Sequence, residues 1–395
     1  MTTDPTSDAW RPAARVRSFH PSVFSAMTEL AQRTGAINLG QGFPDTDGPE
    51  LLLKYAAEAL HDGRNQYPPA AGLPELREAL AEHQERHGLR YGPEEVVVTT
   101  GATEAIAAAV LAYCGPGERL LTFDPCYDSY AAVAALAGAE LVAVPLVPDG
   151  DGFALDAEAL RAAAAARPAR MLLLNSPHNP TGKAFTGAEL EQIAAVCREF
   201  DLVVVTDEVY EHLVYDGRPH RSIAALPEMR DRTVVVSSAG KTLNATGWKV
   251  GWAIGPTRLT GPLLGAKQFL TFGSGTPLQY AVAQTLRSGP AFEEWVRSLR
   301  DGLRERRDLL RTGLGEAGLR TFRAEGGYFV LADVRSWNFE DDLEFCHRLP
   351  ELAGVVAVPV SAFHQTPGAP RWLARFAFCK RPELLREAVS RLAAV

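Results

Sequence analysis

The 395-residue sequence contains only five cysteines, Cys114, Cys126, Cys197, Cys346 and Cys379, and they are scattered. With no C-x-x-C pair and no His–Cys spacing of a metal site, they read as free thiols in a reducing cytoplasm. Long apolar runs are also missing. None reaches the roughly 20 residues of a membrane-crossing helix, and Met1 to Arg17 lacks the apolar core that a signal peptide would carry. There is no basic excess either. Lys and Arg number 40 against 48 Asp and Glu, for a net charge of −8. That balance argues against a nucleic-acid-binding surface, although a few placed cations can still make a pocket anion-selective. No internal repeat is visible, and alanine runs such as Ala162 to Ala166 are helix formers rather than linkers.

What remains is an ordinary globular composition, 46% hydrophobic and 22% charged, in a chain long enough for two domains with sizeable cores. Between Val96 and Pro256 short apolar runs alternate with helical stretches, which predicts a largely parallel sheet covered on both faces. Ligands of such sheets gather where strands end, so the residues after each run carry the most information. Val96 to Thr100 is followed by Gly101-Ala102-Thr103 and a helix, an anion site built from unpaired N–H groups and the helix dipole. Leu120 to Phe123 leads to Tyr127 and Tyr130, which are either core tyrosines or an aromatic face for a ring. Leu141 to Leu146 gives a further strand and Leu155 to Ala166 a helix. Met171 to Leu174 ends in Asn175-Ser176-Pro177-His178-Asn179-Pro180-Thr181-Gly182, a turn fixed by prolines, with His178 read as structural. Leu202 to Val205 reads as buried on both faces, yet the run continues to Asp207. A carboxylate there is costly without a cation partner. Glu208 is expected to face structure.

Thr233 to Val236 then enters Ser238-Ala239-Gly240-Lys241, with Lys249 eight positions further on. A lysine among small residues is the least crowded way to offer an amine to a bound aldehyde. Gly251 to Pro256 reads as the closing strand of the sheet, and Lys267 to Pro277 as a helix end running into an aromatic loop. A long amphipathic helix over Phe292 to Ala317 marks the natural boundary. Beyond it strands are expected at Tyr328 to Ala332, Val355 to Pro359 and Leu373 to Phe378, with a helix around Asp341 to Leu349. Arg375 stands alone among apolar residues, where its fork wants a carboxylate, either from a structural salt bridge or from a ligand. Near the start, Ser22 to Arg33 has a helical pattern, and Ile37 to Pro44 an extended one with Gly40 and Gly42.

These stretches, in this order and over nearly the whole chain, resemble the class I pyridoxal-phosphate-dependent aminotransferases. The points of likeness are Ser238-x-x-Lys241 with a cation at Lys249, and the intact Asn-x-Pro-x-Asn-Pro-x-Gly motif. Tyr67-x4-Gly72-x3-Leu76-Arg77, Asp207 with Tyr210, and Arg375 complete the set. The resemblance implies an α/β fold of fold type I, with a large domain whose mostly parallel seven-stranded sheet lies between helices, and a smaller α+β domain. It places an N-terminal arm and part of the small domain at 1–46, the large domain at 47–288 and the small domain at 289–395. Lys241 becomes the Schiff-base lysine. Ala102, Thr103, Ser238 and Lys249 go to the cofactor phosphate, and Tyr67 to the phosphate of the neighbouring subunit. Many relatives carry arginine where Lys249 stands, so the charge is kept without the bidentate fork. Tyr127 is implied to stack on the ring, Asp207 to meet its nitrogen, and Asn179 and Tyr210 to meet its 3-oxygen. Arg375 and Asn179 are implied to anchor the substrate carboxylate. Gly42 is either a substrate contact or part of an interdomain crossing, and Phe272 is implied to shape specificity across a homodimer. No metal is implied.

Within this family the pattern is most similar to succinyldiaminopimelate aminotransferases of lysine biosynthesis, then to methionine and kynurenine/glutamine aminotransferases, some with cysteine-conjugate β-lyase side activity. Kynurenine-specific relatives carry a tryptophan near Ser22 and a histidine near Gly273, and neither is present. A succinylated substrate brings extra carboxylates, for which Arg15 and Arg17 are candidate partners. The expected reaction is a ping-pong transfer between an L-amino acid and a 2-oxo acid, in the cytoplasm. A lyase would use the same residues. A regulator would need a DNA-binding module, for which no recognition-helix pattern is seen, and an inactive homologue would be expected to lose Lys241, Asp207 or Arg375.

Overall fold

The computed structural model describes residues 12–17, 19 and 22–395. Its centre is a seven-stranded sheet made of β1 (Val96–Thr100), β2 (Arg119–Asp124), β3 (Glu140–Pro145), β4 (Met171–Asn175), β5 (Val203–Asp207), β6 (Thr233–Ser238) and β7 (Val250–Ile254). The spatial order is β1-β7-β6-β5-β4-β2-β3. Strands β2, β4 and β6 are buried along their whole length because helices cover both faces. β3 sits at an edge and alone begins and ends on exposed residues.

Direction matters most at β7. It is not a closing strand, as its sequence suggested, but lies between β1 and β6 and runs antiparallel to both. Val250 therefore pairs with Thr100, and Gly251 with Ser238. The start of β7 meets the ends of its neighbours, which brings Lys249 to the rim where the parallel strands finish. On the other side Asp207 pairs with both Asn175 and Val236. Hydrogen-bond register alone thus sets the ends of five strands side by side.

A second sheet holds β8 (Arg320–Thr321), β9 (Phe329–Asp333), β10 (Val358–Pro359) and β11 (Leu373–Ala377) in the order β8-β9-β11-β10, all antiparallel. The expected strand from Val355 to Pro359 is two short pieces. Val355–Val356 pairs in parallel with Ile37–Asn38, and the chain then changes partner so that β10 pairs with β11. The N-terminal helix α1 (Val23–Thr34), capped by the Ser22 hydroxyl, packs Met27 and Ala31 into the same apolar cluster as β9 and β11. The long helix, over Pro290–Glu316, begins with Phe292 and Val296 in the cluster under β1 and β7. It ends with Leu303, Leu310 and Leu314 in the cluster of the second sheet. No helix among the described residues is long and apolar enough to cross a membrane.

Candidate active site

A cavity of about 290 Å³ opens at the strand ends. Gly42, Ala102, Thr103, Tyr127, Asn179, Asp207, Tyr210, Ser238, Lys241, Lys249 and Arg375 all line it. They come from β1, β2, β4, β5, β6, β7 and β11 or the turns next to them, so seven strands and the N-terminal crossing converge on one space.

Lys241 lies in a four-residue helical turn, Ala239–Thr242, directly after β6. Its Nζ donates to the Gly42 carbonyl at 2.9 Å and sits over the rings of Tyr328 and Tyr210, 5.2 and 5.7 Å from their centroids. Burial lowers its pKa to about 8, with Arg375 and Lys249 acting in the same sense. A desolvated amine near neutrality is a nucleophile rather than a spectator charge. Gly42 has no room for a side chain, since a Cβ there would meet Phe329 Cζ at 2.3 Å.

Asp207 is 5% exposed and has no cation within 4 Å among the described residues. Its Oδ2 accepts from the Tyr130 hydroxyl at 2.6 Å and its Oδ1 from the Val209 N–H at 3.3 Å, while its own carbonyl accepts from Asn175 Nδ2. Burial pushes its pKa up to about 6 against the pull of those two hydrogen bonds. Arg375 is 1% exposed and also lacks a carboxylate partner among the described residues. Its Nη1 donates to Asn179 Oδ1 and its Nη2 to the Gly40 carbonyl, both at 2.9 Å, and Nε has no partner. The guanidinium is packed among Phe329, Phe363 and Phe24, with centroids at 3.8, 4.7 and 5.0 Å. Burial lowers its pKa to about 10, which leaves it charged at neutral pH. The structural salt bridge weighed from the sequence is therefore absent. A buried cation and a buried anion face one cavity, and neither is neutralised by the protein.

At the opposite end, the helix over Gly101–Tyr113 starts at the cavity wall with Gly101 at φ +76°. A Cβ on Gly251 would meet the Gly101 backbone at 2.4 Å, so the two glycines let β7 and the helix start close up. A Cβ on Gly101 would lie 3.0 Å from Lys249 Nζ, which puts the ammonium beside that turn. Lys249 reaches this position with a left-handed φ of 55°, costing roughly 1–2 kcal/mol in a residue with a Cβ. With Thr103 and Ser238 alongside, this is a cup for an anion. Pyridoxal phosphate fits the arrangement: the cup suits its phosphate, the unpartnered carboxylate its ring nitrogen and the low-pKa amine its aldehyde.

The chain matches the family model described as aminotransferase class I and II over residues 34–392. It is an aminotransferase of that family. The probable N-succinyldiaminopimelate aminotransferase DapC of Mycobacterium tuberculosis is 50% identical over 389 residues, 96% of this chain and 97% of that protein. The methionine aminotransferase of Escherichia coli is 38% identical over 391 residues, covering 98% and 99%. The solved N-succinyldiaminopimelate aminotransferase of M. tuberculosis superposes with a TM-score of 0.93, covering 97% of this chain and 100% of that one. The fold is accordingly the fold-type I architecture, and the cofactor is pyridoxal 5′-phosphate.

Two expected site residues of the aminotransferase stay outside its own cavity. Tyr67 is 86% exposed and meets Phe272, 43% exposed, edge to face at 5.6 Å on the surface. Arg15 and Arg17 are also exposed and do not line the cavity, with Arg17 Nε donating to the Pro12 carbonyl. Glu208 accepts from Thr206, Ser222 and His220, and buried His178 pairs with Thr181, both structural as expected. Sequence reasoning passed over Asn175, Phe24 and Phe329 and took Tyr127 rather than Tyr130 forward, though all of them line the cavity. Tyr130 and Asn175 stand in the same post-strand turns as the chosen residues. The two phenylalanines had no local signal, because they act by packing on Arg375 from distant segments.

Proposed function

We propose that the enzyme transfers the amino group of N-succinyl-LL-diaminopimelate to 2-oxoglutarate, and the reverse. What carries this reading is the 50% identity to the M. tuberculosis protein over 96% of the chain, set on a cavity whose buried Arg375 awaits a carboxylate.

When bound, pyridoxal phosphate supplies the electron sink that makes the substrate Cα–H acidic. The protein does the rest. Ala102, Thr103, Ser238 and Lys249 hold the phosphate, and Tyr127 presents its ring to the cofactor face. Asp207 offers its carboxylate to the ring nitrogen, with Tyr130 and Val209 holding that carboxylate still. Lys241 would hold the aldehyde, and its free amine would be the base that takes the substrate Cα proton and the acid that gives it back, a task suited to a pKa of about 8. Arg375 binds the α-carboxylate, and its bond to Asn179 Oδ1 leaves Asn179 Nδ2 free to donate to the 3-oxygen and the substrate. Tyr210 is a second donor to that oxygen.

We also propose a homodimer in which Tyr67 and Phe272 serve the cavity of the second copy. Their exposure, with Phe269 87% exposed nearby in sequence, supports a covered face. We also propose the division at 1–46, 47–288 and 289–395, in which Met27, Ala31 and Leu39 share an apolar cluster with the second sheet. Five free, buried cysteines support a reducing, cytoplasmic setting.

The test is a donor panel in single turnover, following the cofactor's visible band. N-succinyl-diaminopimelate and glutamate should convert it rapidly to the amine form, and methionine, glutamine and kynurenine slowly. Faster conversion by methionine, glutamine or kynurenine would move the enzyme to those activities. Keto-acid release without conversion to the amine form would make it a β-lyase.

A further inference from the structure

Behind the cavity lies a second group of chemically capable side chains. His83, on the helix Pro74–Gln84, faces His212 with their Nε2 atoms 3.0 Å apart. Glu211 Oε2 lies 3.9 Å from His83 Nε2 and 2.8 Å from the Nε2 of His87. His83, Glu211 and His212 are all buried, and their ligand atoms fall within 4.8 Å of one another. The rings of His83 and His212 also pack edge to face on Phe292, which covers them. The other Glu211 oxygen accepts from Ser237 Oγ at 2.7 Å, an outer-shell bond of the kind that orients a metal-binding carboxylate. None of these groups has a part in the reaction described above.

We propose that His83, Glu211 and His212 form a binding site for a borderline divalent transition ion of the zinc class, with a water as fourth ligand. Two imidazoles and one carboxylate are a donor set that zinc takes. On a tetrahedral ion with bonds of 2.0–2.1 Å, ligand atoms stand about 3.3 Å apart. The two histidines need to part by about 0.3 Å, Glu211 to approach His83 by about 0.6 Å and to approach His212 by at most about 1.5 Å, shifts within reach of side-chain torsions. Burial keeps the imidazoles neutral and so ready to ligate, lowering His83 to about 4 and His212 well below its ordinary value. Local sequence gave no such signal, because the two histidines lie 129 positions apart. Glu211 and His212 belong to the turn that carries Asp207 and Tyr210, and Ser237 precedes Ser238. A bound ion would tie the helix Pro74–Gln84 to the floor of the active site.

The experiment uses metal-stripped holoenzyme and the metals alone. Cobalt(II) is titrated while its d–d absorption is followed, zinc is added in competition, and X-ray absorption of the zinc-loaded wild type reads the donor atoms. One cobalt per chain with four-coordinate absorption, displaced by zinc, and a nitrogen/oxygen shell with two or more imidazoles are expected. His83→Gln and His212→Gln should each weaken binding by at least about 10–100-fold, the loss that even an outer-shell change causes. No stoichiometric uptake, sulfur in the zinc shell, or uptake undiminished in either folded variant would overturn the proposal. The wild-type X-ray measurement decides the matter even if both variants fail to fold.

Discussion

Replacing Tyr130 by phenylalanine deletes one hydroxyl that touches Asp207 and leaves the ring packed where it is. That hydroxyl donates to Asp207 Oδ2 at 2.6 Å in a site where both residues are buried. A hydrogen bond to a charged group contributes about 1.5–3 kcal/mol, and at 1.36 kcal/mol per unit this is about one to two pKa units. The wild-type carboxyl, already raised to about 6 by burial, should rise in Tyr130→Phe to about 7–8. The sign follows directly. Asp207 supports the cofactor's protonated ring nitrogen only when ionised, so affinity grows as pH rises through the carboxyl pKa and falls below it. At pH 7 the wild type is mostly ionised and the variant half or more protonated. Equilibrium titration of apoenzyme with pyridoxal phosphate from pH 5 to 9 should show the affinity midpoint moving up by about one to two units in the variant. Affinities should converge above about pH 9 to within the loss of the bond itself. An unchanged midpoint would refute the placement of Tyr130 as the residue that positions Asp207.

Other perturbations follow from the same geometry. Arg375→Lys removes the fork that spans Asn179 and Gly40 and should lower kcat/KM by about 10–150-fold, equivalent to 1.5–3 kcal/mol; a loss under threefold would contradict its role. Gly42→Ala drives a Cβ to 2.3 Å from Phe329 and should destabilise the apoenzyme by about 1–3 kcal/mol in urea unfolding, with activity lost as the crossing shifts. Reconstitution of apoenzyme should quicken as pH rises through about 8 and then level off, because the lowered Lys241 pKa sets the neutral-amine fraction; a rate still climbing at pH 10 would mean an ordinary lysine. Lys249→Met should weaken cofactor binding, while Lys249→Arg should retain it, as measured by the same titration.

The site was legible because its chemistry sits at strand ends, where local sequence announces a turn. Asp207 after four apolar residues, Lys241 among small ones and Asn179 between prolines each carried a signal in their own neighbourhood. What escaped depends on contacts across the chain. Nothing around Val250 says that β7 runs against its neighbours, yet that direction is what delivers Lys249 to the cup. Phe24 and Phe329 carried no signal of their own, and the resemblance selected Tyr127 over Tyr130, whereas the fold sets these three against Arg375 and Asp207. The histidine cluster was invisible for the same reason. Tyr67 and Phe272 carry the opposite lesson, since their sequence match holds while a single chain leaves them on its surface.

The most direct check on the central claim is chemical. Holoenzyme is reduced with borohydride, digested and mapped by mass spectrometry to find which lysine carries the cofactor. The structure predicts a single modified peptide, with the pyridoxyl group on Lys241, whose burial in the cavity lowers its pKa to about 8. Modification of Lys249 or Lys380 instead, or of no lysine at all, would contradict the account from the active site outward.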